Sequence, residues 1–236
     1  MTADLGENRT VRIASYNIRK AVGLDWRRDP HRIVDVISEI NADIVVLQEA
    51  DKRLGQRPGV LPLDRLYAEQ NYVLGAMNAG GQSHGWHGNA ILYRKKVVSA
   101  PETERITLPA REPRGAIAAR FQDEGFAVIG THLALTAGVR RRQIQTLCTR
   151  AAHFEMPTVI GGDFNHWGRK LPAGNHPVIT PGPSFHASRE IAALDRFILC
   201  GAIRPTGSFV HKSIAARQAS DHLPVVLDFE VVKGSA

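Results

Sequence analysis

Cysteine, aromatic residues and long apolar runs are all scarce in this chain of 236 residues. Two cysteines, Cys148 and Cys200, are too few for a disulfide framework, and their apolar surroundings read as small core residues. Ten histidines are present, yet no Cys/His set has the spacing of a structural zinc site. Aromatics make up 6%, so a groove of base-stacking rings is not advertised. No run is long enough to cross a bilayer, and the opening residues lack the basic and apolar segments of a signal peptide. The sequence therefore predicts a soluble, cytoplasmic protein without stable membrane insertion. No repeat, low-complexity tract or linker interrupts it, so residues 1–236 read as a single domain and a monomer.

Positive charge is in excess. The formal net charge is +7 and the pI is near 9.8. The excess gathers at Arg27-Arg28 with Arg32, Lys52-Arg53, Arg94 to Lys96, and Arg140 to Arg142. Such clusters raise the local concentration of polyanions, although each also reads as a plain solvated face. Trp86 and Trp167 adjoin polar motifs, where each could flank a substrate or simply pack.

The chemistry-bearing residues stand at the edges of strand-like apolar runs. Residues 156–160 lead into Gly161-Gly162-Asp163-Phe164-Asn165. On an extended backbone a carboxylate and a carboxamide two apart share a side, and the glycines would let backbone or a ligand approach. Other runs end in Asn17, Glu49 and His132, while Ser220-Asp221-His222 opens the last one. Asp195 lies inside the apolar stretch 192–199, where a charge must be paired or functional.

Apolar runs at 11–16, 44–48, 72–76, 90–93, 116–121, 126–131, 157–162, 194–199 and 225–232 predict strands. One helix is predicted from Asp29-Pro30, with Ile33, Val36, Ile37 and Ile40 on one face. Another follows Thr136, with Ile144, Leu147, Ala151 and Phe154 on one face and Arg140 to Arg142 opposite. Many short strands and few helices favour a mixed sandwich over a doubly wound sheet. The segment 168–183, rich in glycine and proline, is the least regular and reads as a loop.

Taken together and in order, Ser15-Tyr16-Asn17, Leu47-Gln48-Glu49, Thr131-His132, Gly162 to Asn165, Leu194-Asp195 and Ser220 to His222 carry a resemblance. The chain resembles the endonuclease/exonuclease/phosphatase superfamily, of deoxyribonuclease-I-like fold. Segments His87 to Ile91 and Arg114 to Ala116 are similar to those of its short bacterial members. The resemblance implies an α+β fold: a four-layer α/β/β/α sandwich of two mixed β-sheets packed face to face and flanked by helices. It implies metal binding by Glu49, supported by Asn17 and Asp221. Hard oxygen donors suit magnesium or manganese. It further implies that Asp163 activates water and that Asn165, His132 and His222 contact phosphate. Asp195 would pair with His222. Asn89, Arg19, Arg114 and Trp167 complete the expected site as substrate-binding residues. One departure is visible, because Arg19 stands where several nuclease members carry an acid.

Three functions follow from this reading. A divalent-metal-dependent phosphodiesterase, first of all a nuclease acting on DNA or RNA, leads. A phosphoesterase for a phospholipid or other small phosphoester is second. A non-catalytic nucleic-acid-binding module is third, disfavoured because the metal carboxylate and the catalytic pair are all present.

Overall fold

The apolar runs pair into two sheets. In the computed structural model, which describes residues 9–52, 55–76, 82–110 and 114–232, twelve strands form two sheets of six. From edge to edge, the first contains β11 (Ile203–Val210), β12 (Val225–Val231), β1 (Val11–Asn17), β2 (Ile44–Gln48), β4 (Ala90–Arg94) and β3 (Tyr72–Leu74). The second contains β5 (Glu102–Thr107), β6 (Gly115–Phe121), β7 (Phe126–His132), β8 (Thr158–Asp163), β10 (Asp195–Cys200) and β9 (Val178–Ile179). Central strands are buried on both faces, and this is why they read as continuous apolar runs.

Each sheet has a parallel pair at its centre, β1 with β2 and β7 with β8; the other pairings among the described strands are antiparallel. The two parallel pairs face one another across the sandwich. Ile13, Val46, Val128, Val159, Phe197, Leu227 and Phe229 fill the space between the sheets. Removing a ring as large as the fully buried Phe197 would cost about 3–5 kcal/mol.

Helices cover the outer faces. α1 (Pro30–Ile40) begins where the Asp29 side chain accepts from the His31 and Arg32 amides, with proline at its first position. It ends at Asn41 in the left-handed conformation. It packs on the first sheet with α2 (Leu63–Gln70) and α4 (Ile214–Ala219), while α3 (Ala137–Ala152) covers the second. The result is the expected four-layer α/β/β/α sandwich. No helix among the described residues is long and apolar enough to cross a membrane.

Two sequence expectations need correction here. Arg140 is not opposite the apolar face of α3; it is buried on that face with Ile144, Leu147 and Ala151, and donates to the Ala134 and Leu135 carbonyls. Spacing four from Ile144 places it there. Phe154 lies beyond the helix end. Strands β5, β9 and β11 and helices α2 and α4 have no counterpart in the predicted elements. β5 is a charged edge with one buried residue, and β11 carries Pro205, Gly207 and an irregular register between them. Arg53 lies outside the described residues.

Candidate active site

Register alone assembles half the site. Parallel pairing sets His132 of β7 opposite Asp163 of β8, and antiparallel pairing sets Asp195 of β10 opposite the same Asp163. Three titratable side chains thus lie in one row at the ends of neighbouring strands. The first sheet brings up Asn17 at the end of β1, paired in register with Gln48 just before Glu49. The rows meet: the Asn17 amide Nδ2 donates to Asp163 Oδ2 at 3.1 Å. His222, in the turn before β12, reaches the same place with Nε2 3.7 Å from Asp163 Oδ2; His132 Nε2 is at 3.4 Å.

The two glycines before Asp163 serve packing rather than a ligand. A Cβ on Gly162 would lie 2.0 Å from the Thr131 carbonyl oxygen of β7, and one on Gly161 3.0 Å from the Phe197 ring. Asn165 also differs from the extended geometry expected, because its φ is +50° and β8 stops at Asp163. The chain turns there. The Asn165 backbone N–H donates to Asp163 Oδ1 at 2.9 Å, and its Nδ2 donates to the Leu133 carbonyl at 2.9 Å. Asp163 is therefore oriented on both oxygens. One Asn165 amide hydrogen and its Oδ1 remain for other partners.

Two imidazoles flank one carboxylate, and their surroundings differ. Burial disfavours a charged His222, but Asp195 outweighs it, accepting from Nδ1 at 2.8 Å, and the pKa rises to about 9. Asp195 is itself fully buried and also accepts from the Ser184 hydroxyl at 2.5 Å. His132 lacks such a partner. Burial, reinforced by the nearby Arg114, His222 and Lys20 cations, overcomes Asp163 and lowers its pKa to about 4. At neutral pH His222 is an imidazolium and His132 a neutral ring.

Around this centre the remaining expected residues divide. Arg19 and Lys20 follow Asn17 in a turn in which residues 19, 20 and 21 are all left-handed, with φ of 46°, 58° and 59°. Non-glycine residues in that conformation cost about 1–2 kcal/mol each. The turn is held by the Lys20 N–H donating to the Glu49 carbonyl at 3.0 Å and the Val22 N–H to the Arg19 carbonyl at 3.0 Å. It aims Lys20 at the Glu49 carboxylate and Arg19 at Asp221, 3.4 Å away. Glu49 is left-handed as well, with φ of 53°, and its backbone lies against Gly88, whose φ of 81° suits glycine. Asn89 is buried, with Nδ2 spent on the Trp86 and Gly115 carbonyls and only Oδ1 unpartnered. It ties the 84–89 turn to the start of β6, next to Arg114. Trp86 is half-buried, under Arg105 and beside His87.

Three neighbours escaped the sequence reading. Ser184 and Phe185 lie at and just beyond the end of the irregular segment, where no periodicity marks them. Phe185 packs its ring 4.9 Å from His222 and 6.0 Å from the exposed Trp167. Trp26 is 78% exposed and lies under the Arg19 guanidinium at 4.5 Å. Its position nine residues past Asn17, the end of the nearest motif, gave no signal.

A model of the Endonuclease/Exonuclease/phosphatase family matches residues 14–222. No curated protein matches the chain significantly. Among solved structures, an endonuclease/exonuclease/phosphatase from Beutenbergia cavernae superposes with a TM-score of 0.70 at 20% identity, covering 94% of this chain and 72% of that one. The human Nocturnin catalytic domain with bound sulfate superposes at 0.70 with 18% identity, covering 95% and 98%. D. rerio TDP2 complexed with a single-strand DNA product gives 0.67 at 18% identity, covering 93% and 98%.

Proposed function

The chain belongs to the endonuclease/exonuclease/phosphatase family, and on that premise we propose that it is a divalent-metal-dependent phosphodiesterase acting on nucleic acid. The observation that carries this reading is the convergence on Asp163 of Asn17, His132 and His222 at strand ends of both sheets, with Asp195 bonded behind His222. A carboxylate beside a charged and a neutral imidazole places a proton acceptor and oxyanion donors within one small space.

A phosphodiester resists water because its own negative charge repels the nucleophile and its leaving oxygen is poor. Asp163, fixed by Asn17 and the Asn165 amide, orients the attacking water and accepts its proton. The water oxygen bonds to phosphorus, the ester P–O bond breaks, and the departing oxygen takes a proton from solvent. The His222 imidazolium, held in orientation by Asp195, donates to a non-bridging oxygen as charge builds there. His132 and the free hydrogen of Asn165 contribute neutral donors, and Arg19, Lys20 and Arg114 add positive charge.

Glu49, Asp221 and Asn17 present hard oxygen donors of the kind magnesium and manganese prefer. The fit has an internal witness: both carboxylates already attract cations, Lys20 to Glu49 and Arg19 to Asp221. A divalent ion there would supply charge neutralisation on phosphate oxygens and a more acidic water. Lys20 must swing away from Glu49 for such loading, and its side chain is 22% exposed, which leaves it room.

Nucleic acid is the favoured substrate class because exposed aromatics accompany the basic site. Trp26, beside Arg19, and Trp167, beside Phe185, give faces on which unpaired bases can stack. The TDP2 neighbour, solved with a single-strand DNA product, lends support. The test is a panel of single-stranded DNA, plasmid DNA, RNA, phospholipid vesicles and an aryl phosphodiester, each with magnesium and with excess chelator. Magnesium-dependent cleavage of nucleic acid and of the aryl ester is expected. Hydrolysis of lipid or aryl ester without binding or cutting of nucleic acid at low salt would overturn the substrate class.

A further inference from the structure

β10 carries the buried Asp195 at its first position and Cys200 at its last. Five steps along the strand separate them by roughly 17 Å at about 3.3–3.4 Å per residue, so Cys200 belongs to a different place. There it meets Cys148, from the second half of α3, and His176, from the irregular segment before β9. The two Sγ atoms and an imidazole nitrogen all lie within 4.8 Å of one another. We propose that Cys148, His176 and Cys200 form a second metal site, selective for a soft ion of the zinc class.

Donor chemistry makes the choice of metal. Two thiolates and an imidazole match zinc and are poor ligands for magnesium. Around a tetrahedral zinc, sulfur and nitrogen ligands stand about 3.5 Å apart, given metal distances of about 2.0–2.3 Å. The three side chains need only a small closure from where they stand. The Cys200 thiol is hydrogen-bonded to the Cys148 sulfur, which moves Cys148 towards thiolate while Cys200 holds its proton. Neither ring nitrogen of His176 has a hydrogen-bond partner among the described residues.

The place is also accessible. Cys148 and His176 are half-buried, and a surface groove lined by His176, Cys200, Glu155, Met156 and Gly201 opens onto it. Cys200 belongs to the core cluster under α3 and Cys148 packs against it, but apolar packing does not account for an imidazole from a third segment converging on both sulfurs. Binding of a divalent ion would release the two thiol protons to solvent and leave a neutral complex with one coordination position open to the groove. It would tie α3, β10 and the irregular segment together.

Cobalt(II) is the probe, added to the full chain kept reduced by a phosphine, with zinc as competitor. We expect one cobalt ion per chain with a thiolate-to-metal charge-transfer band, displaced by zinc. The band should survive Glu49→Gln and vanish in Cys148→Ser and in His176→Ala. His176 lies in a loop, so this last variant keeps the fold intact for the comparison. Stoichiometric zinc should also raise Tm in the wild type and in Glu49→Gln but not in His176→Ala. Absence of the charge-transfer band with both thiols reduced, or a band unchanged in His176→Ala, would overturn the proposal. Because the readout is spectroscopic, a failure of phosphodiester hydrolysis would leave it standing.

Discussion

At the Asp195 end of β10 the neighbouring donors are carboxylates, carboxamides and imidazoles, whereas at the Cys200 end they are thiols and one imidazole. Both groups gather around strand ends and both recruit residues from distant segments. They differ in hardness and in how charge is held. The Asp195 end is surrounded by cations, including Arg19, Lys20 and Arg114, suited to a polyanion and to a hard ion shared with it. The Cys200 end offers polarisable sulfur beside a groove whose wall is mostly small and apolar, with Glu155 its one acidic residue. With both proposed sites filled, one strand of the sandwich would serve two ions, discriminated by donor type rather than by shape.

Removing the hard ion should separate the two ends most sharply. Excess chelator is expected to abolish hydrolysis of nucleic acid and of an aryl phosphodiester, and magnesium alone should restore it without generating the cobalt signature at Cys148. Restoration by zinc but not magnesium would reverse the assignment. Asp163→Asn should lower kcat for both substrates by about 10²–10⁴-fold, the usual contribution of a positioned base. Cobalt binding at Cys148 and Cys200 should be untouched in that variant, and thermal melting would check that the fold persists.

A smaller effect should distinguish polymer from small ester. Trp167→Ala is expected to weaken single-stranded DNA by the worth of one stacked base, about 1–3 kcal/mol, seen as a raised KM. The aryl ester should be nearly unaffected, since Trp167 is 62% exposed and its ring packs on Phe185 rather than on the groups around Asp163 in the ring contacts of the described residues. Equal loss on both substrates would mean that the ring acts by supporting His222 instead.

The smallest effect concerns stability. His132 has a folded pKa of about 4 against 6.5 unfolded, so between those values the unfolded chain binds the extra proton. Its presence therefore makes stability fall as pH drops from 6.5 to 4. Replacement by glutamine should flatten that fall, measurable as a reduced pH dependence of Tm. An unchanged slope would mean that His132 is not held neutral.

Much of this was legible in the sequence because burial on both faces leaves its mark. β1, β2, β7 and β8 are largely apolar and buried, so the polar residues at or just past their ends, Asn17, Glu49, His132 and Asp163, stand out. α1 announced itself through Asp29, Pro30 and a one-sided apolar stripe. The edge strands β5 and β11 did not, since they face solvent and their composition follows water rather than the core. Arg140 was misassigned because a cluster of three arginines looks like a surface, whereas two backbone carbonyls draw the first of them inward. Charge reversal there would damage the turn after His132 rather than probe substrate binding. Ser184 and Phe185 were invisible because tertiary pairing brings them to Asp195 and His222 from a segment without periodicity. The Cys148, His176 and Cys200 cluster was hidden for the same reason: its members are far apart in the chain and no motif spacing links them.

A protonated His222 held by Asp195 is central to the proposed chemistry, and the pH dependence of kcat on a small aryl phosphodiester tests it directly. Folding stability from this pair is present below the unfolded value of 6.5 and is lost as pH rises through about 9. Activity should follow, with an alkaline limb near 9 in the wild type. In Asp195→Asn that limb should move well below 9, with kcat reduced at every pH. A wild-type profile flat through pH 9, or a limb that stays in place in Asp195→Asn, would contradict the assignment of His222 as the charged group of the site.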